Sequence, residues 1–101
     1  MVAKKYEISI RINGEKYSAA PEGHRTTFIV GALDMLCFVY LYAAPEHRAR
    51  IDAMIQYSSK YESDTLRQQF DVFIRQKDER QKQGAANSFF VALNEWCGFD
   101  N

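Results

Sequence analysis

The first clear pattern along the chain is an alternation of apolar and polar residues near its start. Apolar residues occupy every second position there: Tyr6, Ile8, Ile10 and Ile12. A period of two is typical of a β-strand with one buried face. Asn13 and Gly14 follow directly, and this pair favours a two-residue hairpin turn because both residues tolerate positive φ. We therefore predict a two-stranded antiparallel β-hairpin over residues 5–20.

The next segment, residues 26–44, is apolar almost without interruption. Only Gly31 and Asp34 break the run after its first residues. A helix that is apolar on every side is normally covered by other elements all round, so we expect this one to be central. Its length approaches the roughly 20 residues of a membrane span. A carboxylate at a membrane centre costs about 2.5–3.5 kcal/mol, however, and we therefore predict no membrane association.

Three further helices are predicted, at about residues 45–61, 63–82 and 85–97. Pro45 suits the first turn of a helix, and Ser63 is a good N-cap. Apolar residues recur at spacings of three and four in each segment, which is typical of a helix with one buried stripe. The chain is thus predicted to be a single α+β domain, residues 1–101, with the hairpin packed on a bundle of about four helices around the central apolar one.

Composition agrees with one small folded domain. The chain has 101 residues, of which 47% are hydrophobic and 14% are aromatic, enough to build a core. Thirteen basic residues balance thirteen acidic ones, so no global field draws the protein to nucleic acid or anionic lipid. Cys37 and Cys97 both lie in apolar stretches, and the start of the chain lacks a signal-peptide pattern. These features predict a cytoplasmic protein with two buried free thiols.

Residues that could carry chemistry are few. His24 and His47 are the only histidines, and no metal-binding spacing such as Cys-x-x-Cys or His-Glu-x-x-His occurs. A thiol among apolar neighbours behaves as a small hydrophobe rather than as a nucleophile. Nucleotide-binding and hydrolase motifs are also missing from the sequence. We therefore predict that the protein is not an enzyme and that it holds no cofactor and no metal.

Asp34 is the most informative polar residue, because a carboxylate within an apolar helix needs a reason to be there. One interpretation is structural: Asp34 pairs with an arginine or a tyrosine hydroxyl from another element. The other is functional: Asp34 lies at a binding or assembly site. The sequence leaves both interpretations open.

Two groups of basic residues are candidate contact positions. Arg11 and Lys16 face each other across the predicted hairpin turn and would form a positive patch on its solvent side. Arg75 and Arg80 lie in a segment, residues 75–83, that contains no apolar residue. Either group could contact nucleic acid or an acidic partner, although the second segment lacks aromatic residues that could stack on bases.

The predicted function is therefore protein–protein contact without catalysis. Tyr57 and Tyr61 are candidate contact residues, since tyrosine combines apolar area with a polar tip and is enriched at interfaces. Small proteins without motifs include phage and mobile-element inhibitors of a host machine, such as anti-CRISPR proteins that block a CRISPR effector. The alternative is a small nucleic-acid-binding or regulatory dimer. A homodimer is compatible with both hypotheses.

Overall fold

A computed structural model describes residues 12–99 of the chain, and these residues are almost entirely helical. Throughout this range there is no β-strand, and the only β-type contact is an isolated bridge between Asn13 and Gly84. The part of the protein that the structure describes is therefore all-α, and the predicted α+β class is wrong. The helices are α1 (Gly14–Ala19), α2 (Glu22–Tyr42), α3 (Pro45–Ser58), α4 (Ser63–Arg75) and α5 (Ala85–Trp96), with a short 3₁₀ helix (Asp78–Gln81) between α4 and α5.

The predicted hairpin over residues 5–20 is replaced by a helix start. Its first strand falls mostly outside the described residues, but its turn and second strand lie within them. Asn13 has φ −94° and ψ 177°, whereas the predicted turn requires positive φ. The Asn13 side chain instead accepts a hydrogen bond from the backbone N–H of Lys16 at 2.8 Å and so caps α1. Asparagine suits both roles, and here the capping role prevails.

Gly14 is required for close packing rather than for a turn. A Cβ atom at this position would overlap the backbone carbonyl oxygen of Arg80 and lie 2.9 Å from the Cα of Gln81. The Gly14 N–H donates to the carbonyl of Gln83 at 2.9 Å, and the Ala85 N–H donates to that of Ile12 at 2.8 Å. The start of the described chain is therefore held against the connection between α4 and α5.

The core is built around α4. Leu66, Phe70 and Ile74 of this helix are completely buried, as the predicted apolar stripe requires. Phe70 meets Phe89 of α5 edge-to-face with ring centroids 5.2 Å apart, and it meets Tyr17 of α1 at 5.0 Å. Burial of these aromatic side chains provides the main stabilisation of the fold.

The long apolar helix α2 is peripheral, so the prediction of a central apolar helix is wrong. Only Ile29, Ala32 and Leu36 are buried among its residues. Both α3 and α4 pack on this one side of α2. The opposite side of α2 faces solvent despite its apolar sequence, because no described element covers it.

The predicted third helix of residues 63–82 is interrupted. α4 ends at Arg75, and Lys77 has the extended angles φ −141° and ψ 129°. The chain then forms the 3₁₀ helix before α5 begins. This break turns the polar segment back onto the fold instead of letting it project as a helix end.

Candidate functional site

The outstanding surface feature is an apolar face on the second half of α2. Ten large hydrophobic residues are exposed between residues 12 and 99, and six of them belong to this helix. The four most exposed of the six recur at spacings of three and four, so they share one side of the helix. They are Met35 (53% exposed), Phe38 (55%), Leu41 (65%) and Tyr42 (74%). We call these four residues together with Asp34 the α2 face.

Phe38 is the centre of the α2 face. Asp34 and Met35 precede it by four and three positions, and Leu41 and Tyr42 follow it by three and four. The rings of Phe38 and Tyr42 are in contact, with centroids 4.9 Å apart and planes inclined at 44°. The two rings therefore form one continuous aromatic surface on the helix.

Asp34 lies on this face without a structural partner in the described region. It is exposed, and none of the hydrogen bonds or ion pairs found among residues 12–99 involves it. The structural interpretation, a pair with an arginine or tyrosine of another element, is therefore not supported. The interpretation of Asp34 as part of a contact site remains a prediction.

A second feature is a partly buried polar cluster centred on Asp71 of α4. Asp71 accepts hydrogen bonds from the Tyr17 hydroxyl at 2.9 Å and from Arg67 at 3.0 Å, and it forms an ion pair with Arg25 at 3.4 Å. Glu22 adds an ion pair with Arg67 at 3.4 Å. The cluster links α1, α2 and α4, so its role is to hold these helices together.

Tyr17 remains a hydrogen-bond donor in this cluster over a wide pH range. Burial of the phenol raises its pKa well above the ordinary tyrosine value, and the hydrogen bond to Asp71 raises it further. The protonated hydroxyl is the form that can donate to the carboxylate. This cluster was not predicted from the sequence, although Arg67 and Asp71 are opposite charges four residues apart on α4.

The predicted contact residues Tyr57 and Tyr61 lie beside an open aromatic groove. Their ring centroids are 5.0 Å apart, and the Tyr57 hydroxyl donates to the Gln69 side chain at 3.3 Å. Burial raises the pKa of Tyr57 above its usual value. The groove has a volume of about 350 Å³ and is lined by Tyr57, Gln69, Val72, Phe73, Gln76 and Trp96.

The basic candidates Arg11 and Lys16 are not arranged across a hairpin turn in the described structure. Arg11 lies outside the described residues, and Lys16 is on α1, so the pairing of these two across a hairpin turn is wrong. Arg75 is exposed at the end of α4. Arg80 lies 3.5 Å from the centroid of the Phe73 ring and donates to the Phe73 carbonyl at 2.6 Å. Its guanidinium therefore helps to hold the 3₁₀ helix against α4.

The remaining candidates for chemistry are dispersed. His24 and His47 are both exposed on different helices, and Cys37 is exposed rather than buried as expected, while Cys97 is half-buried. Within the described range no group of three histidine, cysteine or acidic side chains comes together to hold a metal ion.

α2 is also the one helix in the described chain that is long and apolar enough to cross a membrane, judged by length and composition alone. Its first turns are nevertheless tied to α4 through the Arg25–Asp71 ion pair. Its buried side contributes Ile29 and Leu36 to the core. The described residues thus form a compact globular fold that includes α2.

No known protein family, curated protein or solved structure matches the chain. The sequence-based placement among phage or mobile-element inhibitors, including anti-CRISPR proteins, has no support from these comparisons and is withdrawn. The function has to be argued from the surface of the protein itself.

Proposed function

We propose that this protein is a non-enzymatic, cytoplasmic binding protein that acts by protein–protein contact through the α2 face. The observation that carries the proposal is the concentration of large exposed apolar side chains on one helix. Aromatic side chains bury about 150–250 Å² each, so at exposures of 55% and 74% Phe38 and Tyr42 alone present roughly 250 Å² to water. With their apolar neighbours, the face belongs to the size range of patches that serve as interaction sites.

The composition of the face favours a protein partner over nucleic acid or lipid. Phenylalanine, tyrosine and methionine are enriched at protein interfaces, and charged residues are depleted at their centres. The single charge on the face, Asp34, is negative and therefore repels phosphate groups of nucleic acids and anionic lipids. A protein surface with a hydrogen-bond donor for Asp34 and apolar area for Phe38 matches it best.

The experiment is a comparison of partner capture by matched variants. The tagged full chain, Phe38→Asp and Val72→Asp are used as baits in extracts of the source cells. Val72 is also apolar and is 48% exposed, but it lies on α4 beside the aromatic groove. We expect the proteins captured by the wild-type chain to be retained by Val72→Asp and reduced at least about tenfold by Phe38→Asp, because a central aromatic anchor dominates binding.

The opposite pattern contradicts the proposal. Partners that are kept by Phe38→Asp and lost by Val72→Asp would place the contact in the aromatic groove. Partners that survive both substitutions would show that neither surface is used.

A further inference from the structure

We infer that the partner of the α2 face is a second copy of this chain, bound through an antiparallel pair of α2 helices related by a two-fold axis at Phe38. This inference rests on the proposed function and specifies the partner. It depends on three observations: the symmetry of the residue types about Phe38, the environment of Gly31, and the apolar area available.

The first observation is that the α2 face is self-complementary. In an isologous antiparallel helix pair, each residue that lies a given number of positions before the centre meets the residue the same number after it. About Phe38, this rule places Met35 of one copy level with Leu41 of the other, apolar against apolar. It also places Asp34 level with Tyr42, so that a carboxylate acceptor meets a phenol donor. Phe38 of one copy then packs against Phe38 of the other.

The contact between Asp34 and Tyr42 explains why a carboxylate lies on an otherwise apolar face. Within residues 12–99 the Asp34 carboxylate has no partner in its own chain, and the Tyr42 side chain is 74% exposed. In the inferred pair, each Tyr42 hydroxyl donates to the Asp34 carboxylate of the other copy. The two symmetry-related hydrogen bonds satisfy the carboxylates as the surrounding apolar area leaves water.

The second observation is that Gly31 has no internal reason to be glycine. It lies inside α2 with a helical backbone, and a Cβ atom there would meet nothing within 4 Å. Seven positions separate Gly31 from Phe38, and seven separate Phe38 from Pro45. The inferred symmetry therefore brings the corner between α2 and α3 of one copy toward Gly31 of the other. A residue without a side chain leaves room for that corner.

The third observation is the area. Each copy presents roughly 500 Å² of apolar surface on this side of α2, at the exposed fractions of Met35, Phe38, Leu41 and Tyr42 and with about 150–250 Å² for a whole large side chain. Two copies would thus bury about 1,000 Å² in total, which is the lower limit for a specific interface. The expected assembly is a reversible dimer that dissociates on dilution.

The first test measures the mass of the full chain by sedimentation equilibrium from roughly 1 μM to 1 mM, the range in which small interfaces dissociate. We expect the mass to rise from that of one chain to that of two for the wild type and for Val72→Asp. We expect Phe38→Asp to weaken association at least about tenfold, because it places two carboxylates at the axis. A wild-type chain that stays monomeric to the highest concentration overturns the inference, as does association that Phe38→Asp leaves unchanged.

The second test determines the register by disulfide trapping in chains that carry Cys37→Ser and Cys97→Ser, so that the introduced cysteine is the only thiol. Phe38→Cys should form an intermolecular disulfide on mild oxidation, because the axes of packed helices are about 8–10 Å apart and facing Cα atoms then come within about the 4.4–6.8 Å that a disulfide spans. Asp34→Cys alone should not, since the two positions are about 12 Å apart along the helix axis. Mixing Asp34→Cys with Tyr42→Cys should give a cross-linked heterodimer. A disulfide from Asp34→Cys alone would indicate parallel helices and contradict the inference.

The two proposals can fail separately. The wild-type chain could remain monomeric while Phe38→Asp abolishes capture of another protein. That result refutes the second copy as the partner but supports the α2 face as the contact surface. A chain that is monomeric and captures the same proteins with and without Phe38→Asp refutes both.

Discussion

The two halves of α2 lie on one continuous helix but differ in how much of their surface other helices cover. In the first half, Arg25 is bound to Asp71 and Ile29 is completely buried. In the second half, Phe38, Leu41 and Tyr42 are each more than half exposed. The second half is the more apolar of the two, so hydropathy does not explain which half is covered. The position of the neighbouring helices determines which half is covered.

Polar contacts determine where the neighbours lie. Arg25 and Glu22 connect the start of α2 to Asp71 and Arg67 of α4, and Tyr17 joins them from α1. Buried ion pairs contribute little net stability but disfavour other arrangements of the helices, because a misplaced helix would leave the charges unpaired. The first half of α2 is thereby held in the fold, and the second half is available for contact.

The largest expected effect comes from removing the centre of the polar cluster. Asp71→Ala should lower the free energy of unfolding by about 3–5 kcal/mol, because it leaves the buried Arg67 guanidinium without its main partner. Urea denaturation of the wild type and of Asp71→Ala measures this difference in the free energy of unfolding. The matched control is Asp34→Ala in the second half of α2. This substitution should change the free energy of unfolding of the monomer by no more than about 0.5 kcal/mol. Equal effects of the two substitutions would refute the distinction between the halves.

Two glycine substitutions should act in opposite directions. Gly14→Ala should destabilise by about 1–3 kcal/mol, because its Cβ would overlap the backbone of Arg80. Gly31→Ala should stabilise the monomer by about 0.5–1 kcal/mol, since the same change in an open helix position only removes backbone freedom from the unfolded chain. Both are measured in a Phe38→Asp background, where association does not contribute. Destabilisation by Gly31→Ala would show that this side of α2 is packed after all.

A further effect concerns the Tyr17 hydroxyl and depends on pH. Tyr17→Phe should lower the free energy of unfolding by about 1–2 kcal/mol near neutral pH, because Asp71 loses one hydrogen-bond donor. The pKa of Tyr17 is higher in the folded protein than in the unfolded chain, so the folded state binds the phenolic proton more tightly. Its contribution is complete below pH about 10 and is lost as the pH rises further.

The measurement is urea denaturation of the wild type and Tyr17→Phe at several pH values. The stability of the wild type should fall more steeply above pH about 10 than that of the variant, so the difference between them should shrink there. A difference that stays constant to high pH would show that the Tyr17 proton is not held by the fold.

Local patterns predicted some elements well and others poorly. The buried stripe of α4, including Leu66 and Phe70, followed from apolar spacing, and α3 begins at Pro45 as expected. The Asn13–Gly14 pair misled because it suits a hairpin turn, a helix cap and a close backbone approach alike. Only the position of Arg80, which is distant in sequence, selects among these roles.

The candidate site could be predicted only in part. Asp34 was recognised as unusual from its apolar surroundings, but the exposure of Phe38 and Tyr42 was not, because a helix that is apolar on all sides carries no periodicity to show which side is covered. The Arg67 and Asp71 pair could have been found from its spacing of four residues. Its burial, however, depends on contacts with Tyr17 and Arg25 from other helices.

The most direct test of the contrast within α2 is hydroxyl-radical footprinting of the full chain at two concentrations. In dilute solution, Met35, Phe38, Leu41 and Tyr42 should be labelled rapidly while Tyr17 and Phe70 are protected. In concentrated solution, labelling of the α2 face should fall and that of Val72 should not. Protection of Phe38 and Tyr42 in a sample whose mass is that of one chain would mean that the chain covers this face itself, and it would contradict the account.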